Sequence, residues 1–324
     1  MFRRLPRKAA IFPVLLMLAS LPGPLSAQQA AEASAVRPAE YMIYQYPGVD
    51  MVVITDAPET EFDSRVTGPE GTVLNEASVA GRRIGPVYQY IGGPDIPRQL
   101  MVHVNPARRI DRSKINMELM QFSQYDRNAR SLGNAYSLLA HGMKKVHHGD
   151  KSTWAERAGS LRRAAVAFQG LGNERMRLWS DYYAAHLVLH QIDDVLLALE
   201  FADEIRRGAQ TAGYEEIDLA AAILEADALI RAGDKSSGES AEARYMDAHD
   251  SLQAVARLAA ELDFTAEQGR ALFNDGLVYE KQGRLEEAIA QYDAALETVS
   301  RADNPDLLNE VRAVAAVAYE ARGS

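Results

Sequence analysis

Two histidines four residues apart, His186 and His190 in "HLVLHQIDD", have the spacing best suited to chemistry in this chain. On a helix that spacing puts both imidazoles on one face, where they can share a zinc ion, and Asp193 or Asp194 would add a carboxylate to an open site. The competing reading is a pair of partly exposed positions on a helix. His147 and His148 are adjacent, so a helix would point them in different directions and they would chelate poorly. Asp63 and Asp95 stand among turn residues where calcium could bind, yet no D-x-D-x-D run concentrates the ligands. Trp154 and Trp179 fall in a helical stretch and are expected in a hairpin core.

No Walker loop, GxSxG elbow, HExxH helix or GxGxxG turn occurs, and the absence of cysteine removes a thiol nucleophile and disulfide staples together. The expectation is therefore a non-enzymatic protein with no catalytic residue, no metal and no cofactor.

The elements that must position these residues come in two textures. From Glu40 to about Phe122 the pattern has period two, punctuated by Gly, Pro and Asp, which predicts strands at 41–46, 50–56, 63–68, 72–77, 86–91, 99–105 and 115–122. That number of short strands implies a small antiparallel sandwich over 40–122. Beyond it, Ala, Leu, Glu and Arg dominate and the apolar period lengthens. Helices are predicted at about 127–149, 153–170, 173–190, 194–210, 215–232, 243–262, 267–282, 285–300 and 306–322. Helix, short turn, helix, repeated over 123–324, means a stack of antiparallel hairpins, so the fold class is α+β with two domains.

The first 27 residues differ from everything after them. Arg3, Arg4, Arg7 and Lys8 precede the apolar run "AAIFPVLLMLASL", which closes with prolines and small Ser26 and Ala27; this describes a secretory signal peptide cleaved after Ala27, with 28–39 as a linker. A periplasmic or secreted protein follows. Removing those four positive charges, with no acidic residue lost, takes the formal net charge from -10 to -14. So acidic a surface disfavours nucleic acid and anionic lipid as partners.

The clearest repeat unit is "GLVYEKQGRLEEAIAQYDAALE", residues 276–297. Small Gly276 and Ala288 sit where two helices cross, Tyr279 and Tyr292 fill the space beside them, Gly283 ends the first helix, and Leu272, Ala295 and Leu296 complete the pattern. These residues resemble the tetratricopeptide repeat. Pro305 stands later than the family's closing proline, and Tyr319 and Gly323 follow Tyr279 and Gly283 by 40 residues, with Ala316 in the small position. A looser unit precedes it, with Ala226, Leu229 and Gly233, then Ala248, Leu252 and Val255.

The order of signal, β-module and repeats also resembles the front half of bacterial proteins that end in a CHAT domain, a caspase-like peptidase, and the β-module looks like the pre-peptidase C-terminal type. The peptidase chemistry of that family needs a cysteine this chain lacks. The resemblance implies an interaction scaffold in the cell envelope that holds a protein or peptide on a concave helical face, or else the recognition half of such a peptidase. On the repeat register the groove would be lined by Asp227, Arg231, Arg270, Asn274 and Lys281. The last helix, "VRAVAAVAYEA", is apolar on most sides and is expected to self-associate into a homodimer, or else to mark a chain descended from a longer one.

Overall fold

The computed structural model describes residues 39–56, 62–79, 86–106, 115–144, 149–302 and 305–323. The expected signal peptide and His147 and His148 lie outside these residues.

Strands β1 (Ala39–Gln45), β2 (Val49–Asp56), β3 (Phe62–Thr67), β4 (Val73–Val79), β5 (Val87–Ile91), β6 (Arg98–Pro106) and β7 (Asn116–Ser123) come first. They form two antiparallel sheets, β1-β6-β3-β4 and β5-β2-β7. One apolar cluster joins them, with Ile43, Val66, Leu100, Val102 and Val104 from the first sheet meeting Met51, Val53, Val87 and Ile91 from the second. Gln89 on β5 ties the sheets further: its amide donates to the Ser64 and Asn75 carbonyls, and its oxygen accepts from the Ser64 hydroxyl at 2.6 Å.

The second sheet is covered on both faces. Alternation along β2 sends Met51 and Val53 into the β-cluster, while Val52, with Tyr88 of β5 and Phe122 of β7, enters a different cluster filled by helices. This explains why "MVVI" reads as an unbroken apolar run: a strand buried on both faces has no solvent side to mark. The β-region thus keeps a cluster of its own between the sheets and presents the other face of its second sheet, through Val52, Tyr88 and Phe122, to the helices.

Among the described residues the helices are α1 (Arg127–Met143), α2 (Lys151–Gly170), α3 (Glu174–Leu187), α4 (Val195–Ala212), α5 (Glu215–Asp234), α6 (Glu239–Glu261), α7 (Thr265–Lys281), α8 (Leu285–Arg301) and α9 (Pro305–Gly323). Asp126, Asp150, Asn173 and Asp194 cap the first four, each accepting from backbone N–H groups of the first turn. Consecutive helices pack in hairpins, and contacts also run α1–α3–α5–α7–α9 along the odd-numbered row. The crossings are close. A Cβ on Gly276 would overlap the Tyr292 ring, and one on Gly233 would overlap Tyr245. Gly276 thus does what the repeat pattern requires, Gly233 is likewise a crossing residue inside α5, and Gly283 has φ 73° in the turn.

Two other readings need correction. The inward small residues of α9 are Ala315 and Ala318, so Ala316, expected at the crossing, faces solvent, one position out of register. Val314 packs into the last hairpin and the Tyr319 hydroxyl bonds Asp293. The outward side of α9 keeps one large, well-exposed aliphatic side chain, Val317, between Ala313 and Ala316, a smaller apolar patch than the sequence suggested. Trp154 is half-buried at the surface, donating to the Gly149 carbonyl under the Arg157 guanidinium, while Trp179 is in the core against Tyr182 and Tyr183.

Candidate interaction surface

The histidine pair sits where α3 ends. The helix passes into a π-turn, Val188–Ile192, and Asp193 follows in the left-handed region at φ 64°. The imidazoles of His186 and His190 lie 4.3 Å apart between ring centroids, yet each carboxylate expected to complete a metal site is committed elsewhere. Asp193 pairs with Lys235 at 2.7 Å and Arg231 at 3.7 Å, which hold its carboxyl below the usual carboxylate range through the Lys235 hydrogen bond above all. Asp194 caps α4 through Leu197 N–H at 3.1 Å. Arg231 also reaches His190 Nδ1 at 3.0 Å. A guanidinium can only donate, so His190 Nδ1 accepts and a fixed positive charge stands beside the pair. Among the described residues no group of three or more His, Cys, Asp and Glu converges as a metal site. Asp63 lies within β3, and Asp95 is exposed in the β5–β6 loop.

The five groove candidates share the odd-numbered row but differ in exposure: Lys281 is exposed, Arg231 and Arg270 are half-buried, and Asp227 and Asn274 are buried. Asp227 of α5 and Asn274 of α7 are both buried, and the Asn274 amide donates to Asp227 Oδ1 at 2.7 Å, linking two hairpins. Arg231 of α5 donates to the Leu189 carbonyl as well as to His190, linking α5 to the end of α3. Lys281 of α7 pairs with Asp234 of α5 at 3.0 Å. Arg270 of α7 is half-buried, and its Nη1 is enclosed without an acceptor among the described residues. The reason for the difference is packing. Helix α5 is apolar nearly all round, from Ile217 to Ile230, and α3, α4, α6 and α7 enclose it, so a polar residue there must find its partner inside.

The same logic extends along the row. Asp181 of α3 is buried between Arg162 of α2 at 2.6 Å and Arg177 at 2.9 Å. Burial pushes its carboxyl up to about 6 against the pull of both guanidinium groups. Asp275 of α7 is also buried, accepting from His249 at 2.6 Å and Gln253 at 2.7 Å of α6, and desolvation raises it despite those bonds.

Sequence reasoning missed a second constellation, at one end of the β-region. Asp50 accepts from the Tyr90 hydroxyl, Gly93 N–H and the Gln124 amide, all within 2.7 Å. The buried Gln45 amide donates to the Val49, Ile91 and Gly92 carbonyls, and its oxygen accepts from Arg98. Two polar side chains thus fix three connections, and each displays one exposed apolar or aromatic residue: Tyr46, Ile96 and Tyr125. The available signal was alternation in "YMIYQY", which leaves large side chains on both faces of one strand.

No family model matches the chain, and no curated protein does. Among solved structures, the aspartyl phosphate phosphatase F of Bacillus subtilis is similar over 61% of this chain and 53% of its own, at 13% identity and a TM-score of 0.46. The match thus spans about half of that protein's length. The likeness to CHAT-type proteins rests on the residues quoted from the sequence.

Proposed function

We propose that the chain is an exported, non-enzymatic interaction protein of the bacterial envelope, built on tetratricopeptide-like hairpins and a β-sandwich, that holds an acidic peptide or chain end against the odd-numbered helices. The observation that carries this reading is Arg270: an enclosed guanidinium nitrogen on that row with no acceptor among the described residues. A buried donor left unmade is costly, so a carboxylate that reached it would bind favourably. The neighbouring cations are already paired within the chain, Arg231 and Lys235 with Asp193 and Lys281 with Asp234, which leaves Arg270 as the donor on this row for a ligand.

Panning a peptide library displayed with free C-termini against the exported protein tests the reading. Binders rich in Asp and Glu near the end, lost with Arg270→Gln at unchanged melting temperature, support it; binders indifferent to Arg270→Gln refute it. Export is tested by deleting residues 1–27, which should retain the protein in the cytoplasm.

A further inference from the structure

We infer that β1 is a self-association edge, and that its occupant is β1 of a second copy. Among the described residues of the four-stranded sheet β1 pairs only with β6, through an unbroken register from Ala39↔Val104 to Gln45↔Arg98. The other sheet borders are engaged: β4 is tied to β5 through Asn75 and Gln89, and β5 and β7 pack against α1. Among the described residues no strand lies along the free side of β1.

Natural edge strands are guarded by proline, lysine, a bulge or brevity. Strand β1 has seven residues, none of them Pro, Lys or Arg, and no bulge. Alternation buries Ala39, Ile43 and Gln45 and turns Glu40, Met42, Tyr44 and Tyr46 outward, the last three at 51%, 57% and 61% exposure. These are large apolar groups on the solvated face of an unguarded edge.

The four outward side chains complement their own copy. Antiparallel pairing about a two-fold axis at Ile43 sets Met42 opposite Tyr44 of the partner and Glu40 opposite Tyr46 of the partner. Both contacts occur twice. Sulfur meets an aromatic ring, and a phenol hydroxyl donates to a carboxylate that His103 already holds at 3.2 Å. Centring the axis on Met42 or Tyr44 leaves Tyr46 or Glu40 without such a partner. Pairing joins two four-stranded sheets into one of eight strands.

Size sets the strength. Half-exposed side chains of this kind contribute about 100 Å² each, so the interface falls near or below the ~1,200 Å² of standard complexes, and association is weak, in the range of about 10–100 µM. Each copy is acidic, so added salt tightens it.

Sedimentation velocity of the exported chain from about 1 to 200 µM reads this. The expected result is a monomer–dimer equilibrium that Met42→Lys and Tyr44→Lys each weaken at least about tenfold, with the monomer's melting unchanged, because both side chains point to solvent. Tyr46→Lys keeps the dimer, since the new ammonium meets Glu40 of the second copy. A monomer throughout that range overturns the proposal, as does a dimer indifferent to Tyr44→Lys. Loss of the dimer with Val317→Glu alone moves the interface to α9 and overturns it too.

Discussion

The odd-numbered helix row and strand β1 break the same rule in opposite directions. On the row, Asp181, Asp227, Asn274 and Asp275 carry polar or charged groups into the interior; on β1, Met42, Tyr44 and Tyr46 carry apolar groups out of it. Buried polar groups are tolerated because each has a partner on a neighbouring helix, so they specify which hairpin stacks on which and in what register. Exposed apolar groups have no such satisfaction within the described chain, and that asymmetry marks β1 as a surface and the row as a joint.

Substitutions can break this contrast, beginning with the helices. Gly276→Leu should destabilise the protein by about 3 kcal/mol or more, because a single Cβ already overlaps the Tyr292 ring, while Gln291→Leu on the next helix should change stability by less than about 0.5 kcal/mol. Chemical denaturation checks both. Equal effects would mean the hairpins do not cross at Gly276.

Asn274→Leu should cost about 3 kcal/mol, since it removes a 2.7 Å hydrogen bond to the buried Asp227 carboxylate, whereas Tyr44→Lys on β1 should leave the monomer within about 0.5 kcal/mol of wild type. The contrast fails if Asn274→Leu is as mild as the surface change.

Asp181 offers a smaller, pH-dependent effect. Its folded pKa of about 6 lies above the unfolded value, so the stability it contributes is present below pH ~4 and is lost as pH rises through about 6. Against Asp181→Asn, the wild type should therefore lose about 2 kcal/mol of relative stability between pH 4 and 7, measured by urea denaturation at each pH. A difference that grows with pH would mean the two arginines outweigh burial.

Most elements were legible because their periods are strong: the helices with Asx caps begin within two residues of the predicted starts, and all seven strands overlap their predicted spans. Gly276 and Gly283 were legible because a close crossing and a positive φ each admit few residues. Side-chain fate was harder. Asp227 and Asn274 look like groove residues because charged and amide groups are mostly exposed, and only the neighbours supplied by residues 47 positions apart make burial tolerable. The histidine pair reads as a chelate until Arg231, 41 residues from His190, delivers a cation to it. Asp50 escaped notice for the same reason, since its partners Tyr90, Gly93 and Gln124 are distant in sequence.

Polar side chains on the odd-numbered row join hairpins to one another. A double-mutant cycle of Asp227→Ala and Asn274→Ala, read by equilibrium denaturation, tests it most directly. The expected coupling energy between the two positions is about 2 kcal/mol. Additive losses, with coupling under about 0.5 kcal/mol, would contradict it.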